Sequence, residues 1–185
     1  MRSFVSASVL AAHVALVTPA SAAAQSIARP ESWTLTPFIH TSVDVGDPAP
    51  DDSIGVGVAV GYDWTANLGF EGEVSHLFDV AGDSADVDWA VTNFSANAVY
   101  HFDVERVTPY ATFGIGFEHS SQSFDDVLDL ENESTNEVSI NFGGGVKYLL
   151  NDRWFARADL RRFASNDLAP DYWRLYGGLT YNLGR

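Results

Sequence analysis

The stretch Ile54-Gly-Val-Gly-Val-Ala-Val-Gly-Tyr-Asp-Trp64 decides the fold, because large apolar residues alternate along it with small or polar ones. Successive side chains of a β-strand point to opposite faces, so a period of two places the apolar groups on one face. An amphipathic helix would repeat its apolar positions every three to four residues instead. The stretch therefore predicts a strand with one apolar face and one small or polar face.

The same alternation continues on both sides of this stretch and gives eight segments in all. Each spans about 10 to 14 residues, which is longer than an ordinary soluble strand and matches the roughly 9 to 11 residues that a tilted strand needs to cross a bilayer. In the other segments the alternation is clearest over Trp33–Asp44, Leu68–Phe78, Asn93–Phe102, Ala111–Glu118, Val138–Tyr148, Trp154–Arg161 and Trp173–Leu183.

The connections between segments alternate in length. Short periplasmic turns and longer outer loops are typical of outer-membrane barrels. We therefore predict an all-β protein, an eight-stranded antiparallel up-and-down transmembrane β-barrel in the outer membrane of a Gram-negative bacterium. The short connections lie near 65–67, 103–108 and 150–153, and the longer ones near 44–53, 79–88, 120–137 and 164–171.

The N-terminus has the pattern of a secretory signal peptide. Arg2 precedes an apolar run from Phe4 to Val17, and small residues follow it. The run is shorter than the roughly 20 residues that a spanning helix needs. We predict a signal peptide at residues 1–24, cleaved after Ala22 or Ala24, and one barrel domain at residues 25–185.

The composition excludes several classes of function. The net charge is −15, from 25 acidic against 10 basic residues, so a nucleic-acid backbone would be repelled and we expect no nucleic-acid partner. The chain has no cysteine, which removes disulfides, thiolate metal sites and a cysteine nucleophile.

Three motifs resemble the OmpA-like and opacity-like family of small outer-membrane β-barrels. They are Thr108-Pro-Tyr-Ala-Thr-Phe-Gly-Ile-Gly116, Asn141-Phe-Gly-Gly-Gly-Val-Lys-Tyr148 and Trp154-Phe-Ala-Arg-Ala-Asp-Leu-Arg161. The resemblance covers the whole predicted barrel. It implies the fold more strongly than an activity, because members of the family are variously structural, adhesive or weakly pore-forming.

The last segment also looks like the signal that the barrel assembly machinery reads in such proteins. That signal would consist of Tyr176, Gly178, Tyr181 and Leu183. The family usually ends on an aromatic residue, whereas Gly184 and Arg185 extend past Leu183 here.

Aromatic residues cluster where this topology places the periplasmic interface, and we interpret them as a girdle in contact with outer-membrane lipid. Lipid and lipopolysaccharide are therefore the expected surroundings. The girdle residues are Trp33, Tyr62, Trp64, Tyr100, Phe102, Tyr148, Trp154 and Tyr181. A looser set at the opposite rim comprises Phe78, Phe117, Phe163 and Trp173.

If the large apolar face points to lipid, charged residues fall inside the barrel. We predict that they pair with one another and plug a narrow lumen, and a proton or solute path through them is the alternative. The predicted network consists of Glu71, Glu73, Glu118 and Asp159 with Lys147, Arg157, Arg161 and Arg174.

The four predicted outer loops are strongly acidic and contain no lysine or arginine. They would either attract divalent cations or basic partners, or form a solvated face that resists aggregation. The segment Asp125–Glu133 lacks the glycine of an EF-hand loop. The acidic residues are Asp44, Asp47, Asp51, Asp52, Asp79, Asp83, Asp86, Asp88, Asp125, Asp126, Asp129, Glu131, Glu133, Glu137, Asp167 and Asp171.

No pattern indicates an enzyme, a cofactor or a metal site. The sequence Phe163-Ala-Ser165-Asn166 resembles the His-x-Ser-Asn element of barrel lipid A deacylases, but Phe163 replaces their histidine and leaves Ser165 without a base. The histidines His40, His76, His101 and His119 lie on four different segments and lack metal-ligand spacing.

Three functions are consistent with these patterns. The favoured one is a non-enzymatic barrel for envelope integrity or surface contact. The first alternative is a narrow channel for small or apolar solutes, based on lumen volume left by Gly55, Gly57, Gly61, Gly114, Gly116 and Gly143–Gly145. The second is a soluble, exported lipocalin-like barrel with its apolar face turned inward. In any of them, Pro37 should cause a bulge or a local break.

Overall fold

The structure is a computed structural model, and it describes residues 29–43, 53–78, 87–102, 107–124, 133–165 and 172–184. Among these residues, no helix is both long enough and apolar enough to cross a membrane. The strands are β1 (Ser32–Val43), β2 (Ile54–Asp63), β3 (Leu68–Phe78), β4 (Val87–His101), β5 (Val107–Phe124), β6 (Glu133–Leu149), β7 (Trp154–Ser165) and β8 (Tyr172–Gly184).

The eight strands form a closed antiparallel barrel. Each strand pairs with its neighbours in the chain, and β1 pairs with β8 to close the circle. Trp33 lies opposite Tyr62 on β2, and Ile39 lies opposite Gly177 on β8. The predicted all-β, eight-stranded fold is confirmed. The predicted signal peptide at residues 1–24 lies outside the described residues.

The barrel has a short-turn end and a long-connection end. At the short-turn end, tight turns join β2 to β3 and β6 to β7. The hydroxyl of Thr65 accepts hydrogen bonds from the backbone N–H groups of Asn67 (3.2 Å) and Leu68 (2.9 Å). The side-chain oxygen of Asn151 accepts equivalent bonds from Arg153 (3.0 Å) and Trp154 (3.1 Å). These bonds close the chain reversals locally.

Strands β5 and β6 extend further towards the long-connection end than predicted. They have 18 and 17 residues, and their pairing continues to Gln122 and Glu133. The alternation of apolar residues ends earlier, because both extensions consist mainly of Ser, Thr, Asn and Gln. The connection predicted at 120–137 is therefore confined to 125–132.

The barrel is apolar outside and polar inside. On the outward face, Ile115 is 57% exposed and Phe113 60%, whereas Asn93 and Arg161, which point inward, are 0% exposed. A soluble barrel would have the opposite arrangement, since apolar side chains gain free energy by leaving water. The lipocalin-like alternative is therefore wrong.

Pro37 interrupts one ladder without forming a bulge. The pairing of β1 with β2 runs unbroken through Pro37 and Val58. The ladder with β8 includes Leu35 and Phe38 in the same register but lacks Thr36 and Pro37 between them. The missing proline N–H accounts for this local break. The only register shift between the described residues of β1 and β8 lies between Trp33 and Thr34, three to four residues before Pro37.

Inward glycines make room for large side chains on the neighbouring strand. A Cβ atom added at Gly57 would overlap the Phe38 ring, and one added at Gly55 would overlap the His40 ring. The outward Gly72 differs, because no heavy atom lies within 4 Å of its added Cβ. Volume above Gly55 and Gly57 is therefore occupied by aromatic rings, contrary to the interpretation of these glycines as empty lumen.

This difference predicts opposite outcomes for two matched substitutions. Gly57→Val should lower the free energy of unfolding in phospholipid vesicles by about 1–3 kcal/mol or prevent folding, because the new side chain overpacks the lumen. Gly72→Val should leave stability equal or higher, since valine favours strands and faces lipid there. Urea titration followed by electrophoresis of unheated samples measures both. Equal effects would contradict the inward packing.

Candidate functional site

The eight charged residues predicted for the lumen all point inward. Each side chain is buried, with at most 7% of the residue exposed. They come from five strands: Glu71 and Glu73 from β3, Glu118 from β5, Lys147 from β6, Arg157, Asp159 and Arg161 from β7, and Arg174 from β8.

Arg157 binds two carboxylates. Its Nη1 and Nη2 donate to the two oxygens of Glu71 at 2.5 and 3.0 Å. Its Nε and Nη2 donate to Oδ2 of Asp159 at 3.2 and 2.9 Å. The forked donors of the planar guanidinium group thus bind one carboxylate across the lumen and another on the same strand.

Arg161 connects the carboxylates of β3 to one another. Its Nη2 donates to Glu71 at 3.1 Å and to Asp159 at 3.0 Å, and its Nη1 donates to Glu73 at 3.1 Å. Arg161 is fully buried, so its charge depends entirely on these contacts for compensation.

Arg174 extends the network towards the long-connection end. Its Nη1 lies 3.4 Å from Glu73 and 2.9 Å from the Ser75 hydroxyl, and its Nη2 lies 4.0 Å from Glu118. Oε1 of Glu118 also accepts a hydrogen bond from Asn93 at 3.1 Å. Three arginines and four carboxylates therefore form one continuous network, called here the arginine–carboxylate network.

Three tyrosines complete this network and were not predicted. The Tyr110 hydroxyl hydrogen-bonds to Asp159 and accepts a bond from Arg157 Nε at 2.8 Å. The Tyr176 hydroxyl donates to Glu73 at 2.8 Å, and the Tyr172 hydroxyl donates to Glu118. The period-two pattern contained the signal, because Tyr110 and Tyr176 share the inward phase of their charged neighbours.

Aromatic rings also flank the buried guanidinium groups. The Arg174 guanidinium carbon lies 4.0 Å from the centroid of the Phe163 ring, and that of Arg161 lies 4.8 Å from Tyr176. Such contacts stabilise a cation that is removed from water. Phe163 was predicted at the outer rim, and this is wrong: it points inward, is 0% exposed and stacks on Tyr172 at 5.3 Å.

Lys147 lies in the lumen but apart from the arginine–carboxylate network. Its Nζ donates to Nε2 of His101 at 2.9 Å and lies 5.6 Å from the centroid of the Tyr110 ring. Asp63, which was not predicted, is buried at the same short-turn end. With Asp63, five acidic and four basic residues of the described strands are buried in the lumen.

The histidines do not form a metal site. His40 and His101 are buried in the lumen, His40 between the rings of Phe38 and Tyr176. His76 and His119 lie near the long-connection end and pair with Thr92 and Asn136. Within the described ranges, no group of three or more His, Asp or Glu side chains could hold a metal ion.

The eight residues of the predicted girdle lie at the short-turn end, on the outward face or in the turns. Several pack in pairs: Trp33 with Tyr62 at 5.0 Å, Tyr100 with Phe102 at 5.1 Å, and Trp154 with Tyr181 at 4.8 Å between ring centroids. Trp64 packs instead on Phe70 at 6.2 Å, a contact that was not predicted. The remaining girdle residue, Tyr148, is the second-last residue of β6 and lies on the outward face.

The other predicted features are described only in part. In the proposed assembly signal, Tyr176 and Gly178 point into the lumen, while Tyr181 and Leu183 point outward. The acidic connections at 44–52, 79–86, 125–132 and 166–171 lie outside the described residues, and so do the side chains of Asp88, Glu133 and Ser165.

The sequence matches the family described as "Outer membrane protein beta-barrel domain" over residues 9–182. This match confirms the resemblance and the outer-membrane location. A comparison with curated proteins gave no match.

Solved structures with the same fold are also outer-membrane proteins. The N-terminal β-barrel domain of OprF from Pseudomonas aeruginosa is 19% identical, with a TM-score of 0.65 over 83% of this chain and 98% of that one. Neisserial surface protein A is 16% identical, with a TM-score of 0.65 over 81% and 96%. Ail from Yersinia pestis is 16% identical, with a TM-score of 0.61 over 84% and 100%. At these identities the likeness shows the fold alone.

The arginine–carboxylate network predicts a large difference between two arginines of β7 and its preceding turn. Arg161→Met should lower the free energy of unfolding by about 3–5 kcal/mol, because it leaves buried carboxylates uncompensated. Arg153→Met, at an exposed turn position, should leave the free energy of unfolding nearly unchanged, because solvent screens an exposed charge. Urea unfolding in vesicles measures both. A cost for Arg161→Met as small as that for Arg153→Met would contradict the network.

Proposed function

Because this chain belongs to the outer membrane protein β-barrel domain family, we propose that it is a non-enzymatic integral outer-membrane protein. Its lumen is polar and largely filled, and its acidic connections face the cell exterior. It contributes to envelope integrity or to contact with other surfaces. The observation that carries this proposal is the arginine–carboxylate network across the barrel.

The side chains in the lumen favour a plugged barrel over an open path for solutes. The guanidinium groups of Arg157 and Arg161 span from β7 to the carboxylates of β3 on the facing wall. An eight-stranded barrel has an interior just wide enough for its side chains. Solute passage would require these ion pairs to separate without replacement partners, at a cost of several kcal/mol.

The first alternative, a narrow channel, receives less support. It was motivated by glycines that would leave lumen volume unfilled. The rings of Phe38 and His40 occupy the space above Gly57 and Gly55, and amide groups of Asn97 and Asn141 lie over Gly114. These glycines permit tight packing of large side chains, which favours the plug.

Several observations support a non-enzymatic role. Phe163 stands where the resembling deacylase element has its histidine, and its ring is packed between Arg174 and Tyr172. In the sequence of that element, Phe163-Ala-Ser165-Asn166, none of the residues is a general base. The four carboxylates of the arginine–carboxylate network are all engaged with arginine or tyrosine, which suits a structural role.

The expected partners follow from the two ends of the barrel. The aromatic girdle at the short-turn end suits the periplasmic lipid interface. We propose that β8, through Tyr181 and Leu183 on its outward face, is read by the barrel assembly machinery during insertion.

The acidic connections are suited to binding divalent cations or positively charged partner surfaces. By the general topology of outer-membrane barrels, the long connections face the exterior. Clustered carboxylates there supply hard oxygen ligands and a field that attracts positive partners.

A planar-bilayer recording tests the proposed plug. The folded wild-type protein should give no discrete conductance steps, because its buried ion pairs leave no continuous aqueous path. A porin of 16 strands inserted in the same membrane shows that the assay detects open channels. Reproducible unitary steps from the wild-type protein alone would favour the narrow channel.

A calcium titration tests the acidic connections. Replacing Asp125, Asp126 and Asp129 together with asparagine should weaken Ca²⁺ binding measured by calorimetry on the folded barrel, because neutral amides are poorer ligands. Asp152→Asn, at the short-turn end, is the matched control and should leave binding unchanged. The solvated-face interpretation holds if the wild-type protein takes up no Ca²⁺.

A further inference from the structure

Two glutamates face each other at the long-connection end of the lumen. Glu118 on β5 lies directly opposite Glu137 on β6, and Asn93 on β4 lies opposite Glu118 on its other side. Glu137 points inward, because it shares the phase of the buried Ser139 on the same strand. Opposite residues of an antiparallel pair have Cβ atoms about 4.5–5.5 Å apart. The side chains of Asn93, Glu118 and Glu137 therefore form one continuous row along the wall of the lumen.

The two glutamates differ in the groups that compensate them. Oε1 of Glu118 accepts hydrogen bonds from Asn93 and from the Tyr172 hydroxyl, and Arg174 approaches the same oxygen at 4.0 Å. Oε2 of Glu137 is buried, and no described group donates a hydrogen bond to it. A buried carboxylate oxygen without a donor is costly. The row therefore contains one carboxylate that the arginine–carboxylate network does not compensate.

The charges at this end of the lumen do not balance. The arginine–carboxylate network contains four carboxylates and three arginines. Glu137 adds a fifth carboxylate beside Glu118, and five carboxylates against three arginines leave a surplus of two negative charges. Lys147, the other buried cation of the described strands, lies with Asp63 at the short-turn end. Like charges on directly opposite residues are destabilising, so this end of the lumen favours the uptake of positive charge.

Two further oxygens beside Glu137 lack a hydrogen-bond partner among the described residues. They are Oδ1 of Asn93 and Oγ of Ser139, and both residues are 0% exposed. The amide nitrogen of Asn93 lies 3.1 Å from Glu118, which keeps Oδ1 of the same planar amide close to that carboxylate. Ser139 follows Glu137 by two positions on the inward face of β6. Buried polar atoms are nearly always satisfied, so these oxygens indicate a further partner at this end of the lumen.

We propose that Glu137, Glu118, Asn93 and Ser139 bind a calcium ion at the long-connection end of the lumen. All four side chains supply hard oxygen ligands, and water completes the roughly six to eight that Ca²⁺ takes. The two positive charges of the ion equal the surplus of negative charge. Glu137 is the main ligand, since the guanidinium group of Arg174 already approaches Glu118.

The ligand set favours Ca²⁺ over Mg²⁺. Its oxygens come from three different strands, β4, β5 and β6, and belong to two carboxylates, an amide and a hydroxyl. Ca²⁺ tolerates such irregular geometry, whereas Mg²⁺ requires nearly ideal octahedral coordination. The site is separate from the acidic connections, which supply carboxylates outside the lumen. Neither the charge balance nor the ligand set depends on which side of the membrane this end faces.

The test starts from the full mature chain with Asp125, Asp126 and Asp129 replaced by asparagine, so that these carboxylates of the acidic connections do not contribute. This parent protein is folded in uncharged detergent, stripped of metal with a chelator, dialysed and titrated with CaCl₂ by calorimetry. It should bind Ca²⁺ more tightly than Mg²⁺. Glu137→Gln in the same background should weaken Ca²⁺ binding by about tenfold or more, because the amide keeps the shape of the side chain but loses its charge.

Asp152→Asn in the same background is the matched control, because Asp152 is an exposed acidic residue in a turn at the opposite end of the barrel. It should leave Ca²⁺ binding within about twofold of the parent value. Equal weakening by both variants would show a non-specific charge effect and overturn the site. A parent that takes up no Ca²⁺ at about 1 mM, or a Glu137→Gln variant that binds as well as the parent, would also overturn it.

Urea unfolding in vesicles provides a second measurement. Ca²⁺ should raise the urea midpoint of the parent, because a ligand of the folded state stabilises it, and should raise that of Glu137→Gln much less. Without Ca²⁺, Glu137→Gln should be at least as stable as the parent, since it removes one surplus negative charge. A variant that is less stable without Ca²⁺ and equally stabilised by it would assign Glu137 a purely structural role and overturn the site. Such a result would leave the proposed plug, which the bilayer recording tests, unaffected.

Discussion

Every backbone N–H and C=O group that faces hydrocarbon must find a partner within the protein, and the rest of this structure depends on that constraint. A sheet with two free edges cannot meet it, so the pairing of β1 with β8 is as necessary as any pairing between neighbours in the chain. The one residue that cannot donate, Pro37, is accommodated without a change of register. On the lumen side of this gap, the hydroxyls of Thr36 and Thr180 form a hydrogen bond of 2.9 Å across the seam.

Closure into eight strands then dictates what each face contains. The outward face is apolar, while the inward face encloses a volume of the width that side chains can occupy. The side chains in that volume are distributed unevenly around the barrel. Small residues of β2, such as Gly55 and Gly57, lie against the rings of β1, while long charged chains of β7 cross to β3. Packing and charge pairing therefore act together in the lumen.

The sequence predicted the fold almost completely because one signal, the period of two, fixes both the strand and the direction of each side chain. That signal placed Glu71, Arg157 and Arg161 in the lumen without any knowledge of their contacts.

The prediction failed where the alternation of apolar and polar residues weakens. The ends of β5 and β6 contain polar residues on both faces, so their length was underestimated. Phe163 was assigned by residue type to the rim, although its phase pointed inward. Tyr110 and Tyr176 were overlooked because an aromatic residue is not expected among charges. Whether Lys147 contacts the same carboxylates as the arginines depends on how far its side chain extends. The period of two gives only the direction of a side chain and does not predict this.

The arginine–carboxylate network also links the lumen to the closure of the barrel. Its bonds join residues far apart in the sequence, since Glu71 and Arg157 are separated by 86 positions and Glu73 and Tyr176 by 103. Neighbouring strands can pair one after another, but these contacts form only when β3 faces β7 and β8 across a complete circle. Before that point, the charged side chains remain hydrated or unpaired, and burying them would cost several kcal/mol each. After it, the loss of one partner leaves the others buried without compensation. The network therefore adds little attraction to partly closed states and strongly opposes reopening, which makes closure behave as an all-or-none step.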